Sequence, residues 1–102
     1  MAVLTDNRTA SSGEAIVIAF RKRPLTRSFG TPTYGVSTAN RGFVLSDSAT
    51  IYLTVSTMAD RNGNQYGYKI NPDELVTGEF MIDPTDNDLV VKAAIIWLEK
   101  NI

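Results

Sequence analysis

A chain of 102 residues, 43% apolar and 21% charged, has the composition of one globular domain spanning 1–102, and is short enough that both walls of a large cleft are not assured. Ten basic residues against eleven acidic ones leave a net charge of −1, which gives no electrostatic footprint for nucleic acid. Cysteine and histidine are both absent, which excludes disulfides and thiolate metal sites and removes together the usual general base and the commonest metal ligand. No apolar run approaches the ~18 residues of a membrane span. The first residues show neither the basic region nor the long apolar stretch of a signal peptide.

Ala2-Val3-Leu4 is a short apolar run ending at the turn formers Asp6-Asn7, which predicts a buried strand entering a loop. Thr9-Ala10-Ser11-Ser12-Gly13-Glu14 then opens a helix. Its body, Ala15 to Phe20, is apolar almost all round, so burial on more than one side is expected. Arg21-Lys22-Arg23 would occupy the last turn, where positive charge suits the helix dipole, before Pro24 stops the helix. The triplet could instead serve an anionic ligand, but with so flat a net charge helix termination is the plainer account.

Thr26 to Phe29 reads as a short strand and Gly30 to Gly35 as a loop. Gly42 to Leu45 and Ala49 to Val55 read as strands around a Ser46-Asp47-Ser48 turn. In the second of these Ile51, Leu53 and Val55 alternate with Thr50, Tyr52 and Thr54. Asn62-Gly63 signals a tight hairpin with Tyr66 to Ile70 as its returning strand, ended by Asn71-Pro72-Asp73.

Asp83-Pro84 predicts a helix cap followed by proline, with Asp86 or Asn87 as other caps. Leu89, Ala93, Ile96 and Trp97 recur at helical spacing, and Trp97 is assigned to the core. Asp83, Asp86 and Asp88 lie close in sequence, but the run lacks the glycine and distal glutamate of a calcium loop, and acids in a first helical turn complement its dipole. Neither a metal nor an organic cofactor is expected. Strand, helix, several strands, helix: the order predicts one domain of mixed α/β class.

Ser11-Ser12-Gly13-Glu14 carries more than architecture. Ser-x-x-Glu before an apolar run is a capping box, with Ser11 accepting from a backbone N–H and Glu14 reaching back. A serine at a helix N-terminus just after a strand and a tight turn is also placed to act as a nucleophile. The N–H of Ser12 and the positive helix end would then face a developing oxyanion. Small neighbours (Ala10, Ser12, Gly13) would let a substrate backbone approach. One helix end can serve both purposes.

The whole stretch Thr9 to Glu14 resembles the nucleophile motif of the tail-specific (C-terminal processing) serine peptidases, in which the reactive serine stands three residues before the glutamate. That register selects Ser11, not Ser12. Phe29-Gly30-Thr31-Pro32-Thr33-Tyr34-Gly35 resembles the family's Gly-Glu-Pro-Thr-x-Gly segment, with Thr31 in place of its glutamate. Met58, Asp60-Arg61-x-Gly63, Tyr66-Gly67 and Ile70-x-Pro72-Asp73 resemble its hairpin and closing segment, so the similarity runs from about Val3 to Leu75.

The resemblance implies the C-terminal portion of a ClpP/crotonase-like α/β domain and hydrolysis of peptide bonds in polypeptide substrates. Ser11 would be the nucleophile and the Ser12 N–H one oxyanion donor, with no cofactor. The lysine-dependent branch carries its base where this chain has Val36, which cannot take a proton. Thr33 to Asn40 instead looks like the branch that includes the nisin-resistance proteases, which pairs serine with a histidine from the preceding part of the domain. The base would then lie outside these residues, leaving the chain alone inactive. An extracytoplasmic or membrane-anchored parent is implied on the same ground. Asp6 is assigned to turn-making. A non-catalytic module of the same fold that holds peptides or apolar ligands is the alternative, and a purely structural capping box is a third. Self-association through an exposed sheet edge and the apolar helix is also expected.

Overall fold

The computed structural model describes residues 1–77 and 88–101. Its elements are β1 (Ala2–Thr5), α1 (Ser12–Phe20), β2 (Arg27–Gly30), β3 (Thr38–Val44), β4 (Thr50–Thr57), β5 (Glu74–Leu75) and α2 (Leu89–Asn101). The mixed α/β class expected from the order of elements is the class observed.

β2 lies between β1 and β5, and both pairings are parallel. Parallel neighbours need a crossover, and α1 supplies the one between β1 and β2. Register pairs Val3 with Ser28 and Leu4 with Phe29, and alternation sends these pairs to opposite faces. Val3 packs with Val17 and Ile18 of α1 and with Ile70, joined by Met58 and Tyr66. Phe29, fully buried, meets Trp97 of α2 edge to face, with ring centroids 6.0 Å apart. A thin sheet is thus covered by α1 on one side and α2 on the other. Gly30 closes β2 at φ +128°, and any Cβ there would collide with the Thr5 carbonyl.

β3 and β4 form a separate antiparallel ribbon with a register shift between Ala39 and Asn40. The alternating face read from the sequence is present, but nothing among the described residues covers it. Phe43 is 38%, Ile51 42%, Leu53 52% and Val55 51% exposed.

Several expectations are corrected. α1 buries Val17 and Ile18 but leaves Ile16 60% exposed, so it packs on one side rather than all round. The helix ends before Arg21, whose extended backbone caps it, so the basic triplet lies beyond the last turn. Leu4 stays exposed. Asn62-Gly63 does make a turn, but the return is a single bridge between Ala59 and Gln65: past Tyr66, the expected strand gives its Gly67 N–H to the Ser37 hydroxyl and its Ile70 N–H to the Thr33 hydroxyl instead of to a ladder. β5 was missed in the sequence, being two residues long. The face α2 turns inward is centred on Ala94 and Trp97, whereas Leu89 and Ile96 remain exposed. Asp88 caps α2 by accepting from the N–H of Val90 and Val91 at 2.9 and 3.1 Å. The caps expected at Asp83, Asp86 or Asn87 lie outside the described residues.

Candidate functional site

β1 delivers the chain to a turn made by Asp6. Its Oδ1 accepts from the Arg8 N–H at 2.8 Å, and its carbonyl accepts from the Thr9 N–H at 3.0 Å. The Arg8 side chain bonds Asp6 Oδ2 and holds the Asp6 carboxyl below its ordinary pKa of 3.8. Asp6 makes this turn, as expected.

The next four residues form a tighter turn, closed by Gly13 N–H donating to the Ala10 carbonyl at 2.9 Å. Ser11 sits at its first central position with φ 50° and ψ −112°. These are the angles of the first central residue in a type II′ turn, a place normally held by glycine. A non-glycine residue held there stores backbone strain, and such strain collects at functional sites. The consequence is geometric: the Ser11 side chain stands exposed at the mouth of α1. It faces the helix end in capping-box fashion but makes no side-chain cap hydrogen bond of ordinary geometry. Ser12, the first helical residue, is exposed too, and among the described residues nothing accepts its N–H. The first N–H groups of any helix lack intrahelical partners and point outward at its positive end.

Glu14 fastens this turn to the rest of the molecule. It has no exposed surface, and its carboxylate accepts from Ser11 N–H at 3.1 Å, Val36 N–H at 2.9 Å and the Thr33 hydroxyl at 2.9 Å. Having donated its proton to Glu14, the Thr33 hydroxyl accepts from Ile70 N–H at 2.9 Å. Thr33 N–H donates to the Ile70 carbonyl at 3.1 Å, and Tyr34 N–H to the Thr9 carbonyl at 2.9 Å. Gly35, at φ +110°, lets the loop pass close over the stem of Lys69. Further along, Ser28 exchanges hydrogen bonds with Asp73, donating its N–H at 2.8 Å and accepting the Asp73 N–H on its hydroxyl at 2.9 Å. The sequence segments Thr9–Glu14, Phe29–Val36 and Ile70–Asp73 are therefore one bonded unit.

Asp60 organises the Asn62-Gly63 turn beside it. Burial works to raise its pKa, but hydrogen bonds from the Asn64 side chain, the Tyr66 hydroxyl and the Asn64 and Asn62 N–H groups outweigh that and bring it down to about 2. Tyr66 shifts upward, through burial and through its bond to Asp60.

The structure thus places both sequence-selected residues, Ser11 and Ser12, together at one exposed helix end. Sequence reasoning treated Glu14 as a local cap and missed its longer reach. It missed Thr33 as a buried linker altogether. The signal for both was an acid at the third helical position together with a Pro-Thr pair downstream. Val36 contributes only its N–H here, and no carboxylate or imidazole is positioned against the Ser11 hydroxyl among the described residues. No group of three or more His, Cys, Asp or Glu side chains among them could hold a metal ion.

Known proteins are similar to this chain. The nisin-resistance protein of Lactococcus lactis subsp. lactis is 36% identical over 74 residues, which is 72% of this chain and 23% of that protein. A solved lipoprotein from Streptococcus agalactiae superposes over 99% of this chain with a TM-score of 0.77 at 32% identity, and the chain spans 32% of its length. The segments that Glu14, Thr33 and Asp73 bind together fall within residues 1–76, which match peptidase family S41, and the chain belongs to that family.

Proposed function

We propose that the protein of which these residues form the serine-bearing portion is a serine peptidase acting on polypeptides. The observation that carries this reading is the strained backbone of Ser11, φ 50° and ψ −112°, at an exposed helix mouth locked from behind by buried Glu14. A capping serine ordinarily holds extended backbone, whereas a sharp strained turn is one known way to lift a nucleophile's hydroxyl clear of the helix that follows it. Ser11 Oγ attacks the scissile carbonyl and the free N–H of Ser12 donates to the oxyanion. The proton of Ser11 passes to a histidine supplied by polypeptide outside these residues, since the chain contains none.

The family resemblance in the Thr33 to Asn40 stretch supports a Ser/His pair in place of Ser/Lys. A serine hydroxyl with no base is a weak nucleophile, so these residues alone should neither hydrolyse peptides nor react with fluorophosphonate probes. The test is a longer protein containing the preceding part of the domain. There Ser11→Ala should lower turnover on the order of 10³-fold or more, whereas Ser12→Ala, which keeps the backbone N–H, should leave much of it. Equal effects of the two substitutions, or a greater effect at Ser12, would overturn the register. Fluorophosphonate labelling of Ser11 in the 102-residue chain alone would show that the base lies within it.

A further inference from the structure

α1 stops at Phe20, and the chain reverses over Arg21 to Leu25 to enter β2. Two non-glycine residues of this turn, Lys22 at φ 63° and Leu25 at φ 52°, hold positive φ. The turn, the end of α1 and the start of β2 enclose a pocket of about 200 Å³, with Val17 and Phe20 among its apolar walls and Arg21, Lys22, Arg23 and Arg27 as its cations. Asp73 is the carboxylate of the lining.

Charge pairing inside the pocket is incomplete. Arg21 meets Asp73 at 3.2 Å, and Arg27 meets Glu74 at 3.7 Å. Lys22 and Arg23 have no ion pair among the described residues. The Arg23 guanidinium lies over the Phe20 ring, 5.3 Å from its centroid, which holds it at the rim of the pocket. Arg21 Nε is buried with no hydrogen-bond partner among the described residues. The rest of that guanidinium is engaged by Asp73 and the Asn71 carbonyl, so the cations left for a ligand are Lys22 and Arg23.

We propose that this pocket binds a carboxylate carried by a polypeptide, with Lys22 and Arg23 as its charge partners and Val17 and Phe20 against its aliphatic stem. A monoanion suits a lining that already contains Asp73. The polypeptide source rests on the peptidase reading above. α1 has nine residues, so its two ends lie ~13 Å apart at the helical rise. An extended chain covers that distance in about four residues. The pocket would therefore select substrates bearing an acidic side chain, or their own C-terminus, about four positions from the bond at Ser11.

The experiment titrates the chain with three short acetylated peptides of one apolar sequence and follows the amide resonances of residues 20–28. One peptide has a free C-terminal carboxylate, one is amidated, and one is amidated with an internal aspartate. At least one carboxylate peptide should bind about tenfold more tightly than the neutral one, with an affinity that falls as salt rises. Which of the two does so identifies the source. Lys22→Gln combined with Arg23→Gln, both exposed positions, should reduce that affinity to the neutral level while the thermal transition stays put. Equal binding of all three peptides, no binding of either carboxylate at millimolar concentration, or an unchanged affinity in the double variant would each overturn the proposal. Binding is read without turnover, so the two readings fail separately. Carboxylate binding in a full-length protein that never hydrolyses peptides sinks only the peptidase reading. Hydrolysis indifferent to carboxylates sinks only the pocket.

Discussion

Ser11 and Val36, far apart in sequence, donate their backbone N–H groups to the same oxygen, Glu14 Oε1, at 3.1 and 2.9 Å. One buried carboxylate therefore fixes the position of the turn that carries the candidate nucleophile against the loop facing it. Its other oxygen takes the Thr33 hydroxyl, which in turn takes the Ile70 N–H. Each polar group in this relay has at least one partner, which is the condition under which a buried polar cluster stiffens a structure.

Breaking the relay should be expensive out of proportion to the atoms removed. Thr33→Val keeps shape and volume but leaves the Ile70 N–H and Glu14 Oε2 buried without partners, a loss of about 2–6 kcal/mol at 1–3 per orphaned group. Thr33→Ser retains the hydroxyl and should cost under half of that. Chemical denaturation of the two variants measures the difference. Equal stabilities would mean the hydroxyl is not used as described.

The strain at Ser11 predicts a trade of stability for function. Ser11→Gly suits φ 50° and ψ −112° without a Cβ, and should stabilise the fold by about 1 kcal/mol, the lower end of what such a backbone outlier costs. The same change removes the hydroxyl and should abolish turnover in the longer protein. Ser11→Ala keeps the strain, so it should fall below Ser11→Gly in melting temperature while being equally inactive. If alanine were the more stable of the two, the II′ geometry would be wrong.

Acid should reveal the turn around Asp60. Its folded-state pKa is about 2 against an ordinary 3.8, so the unfolded chain takes up this proton at a higher pH than the folded one. The associated stability is present above 3.8 and disappears as pH falls through about 2. Comparing wild type with Asp60→Asn isolates this contribution from other carboxylates such as Asp6: the gap in melting temperature should be constant near neutrality and narrow below pH ~4. Tyr66→Phe removes one donor to Asp60 and should move that narrowing to higher pH.

Much of this was legible in the sequence where a local rule decided the outcome. The helix start at Ser11 to Glu14, the Asp6 and Asn62-Gly63 turns and the alternation of β4 follow from residue chemistry within a few positions. What escaped was set by distant partners. Nothing local says that Glu14 reaches past its own cap to Thr33 and Val36, or that Glu74–Leu75 forms a strand, since a two-residue strand exists only through its pairing with β2. The inward face of α2 was misjudged for the same reason. With apolar residues on most sides of that helix, the position of the Phe29 ring selects the face that holds Trp97 and Ala94.

The surface left uncovered gives the last expectation. Self-association was anticipated from the sequence through a sheet edge and an apolar α1. β1 does lie at the edge of its sheet, but α1 shows little more than Ile16, and the larger apolar surface is the β3–β4 ribbon. A two-stranded ribbon standing alone is marginal in water, and Phe43, Ile51, Leu53 and Val55 form an apolar stripe on one of its faces. We expect the isolated chain to cover that stripe with a second copy of itself. Leu53 pairs with Arg41 across the ribbon, so Leu53→Glu breaks the stripe while adding an opposite charge that steadies the hairpin. Light scattering at two concentrations should give a mass above that of the monomer for wild type and a monomer for Leu53→Glu, with near-identical circular dichroism. A wild-type chain that is monomeric at high concentration, with a melting temperature independent of concentration, would refute the self-association and show that the ribbon stands without a partner.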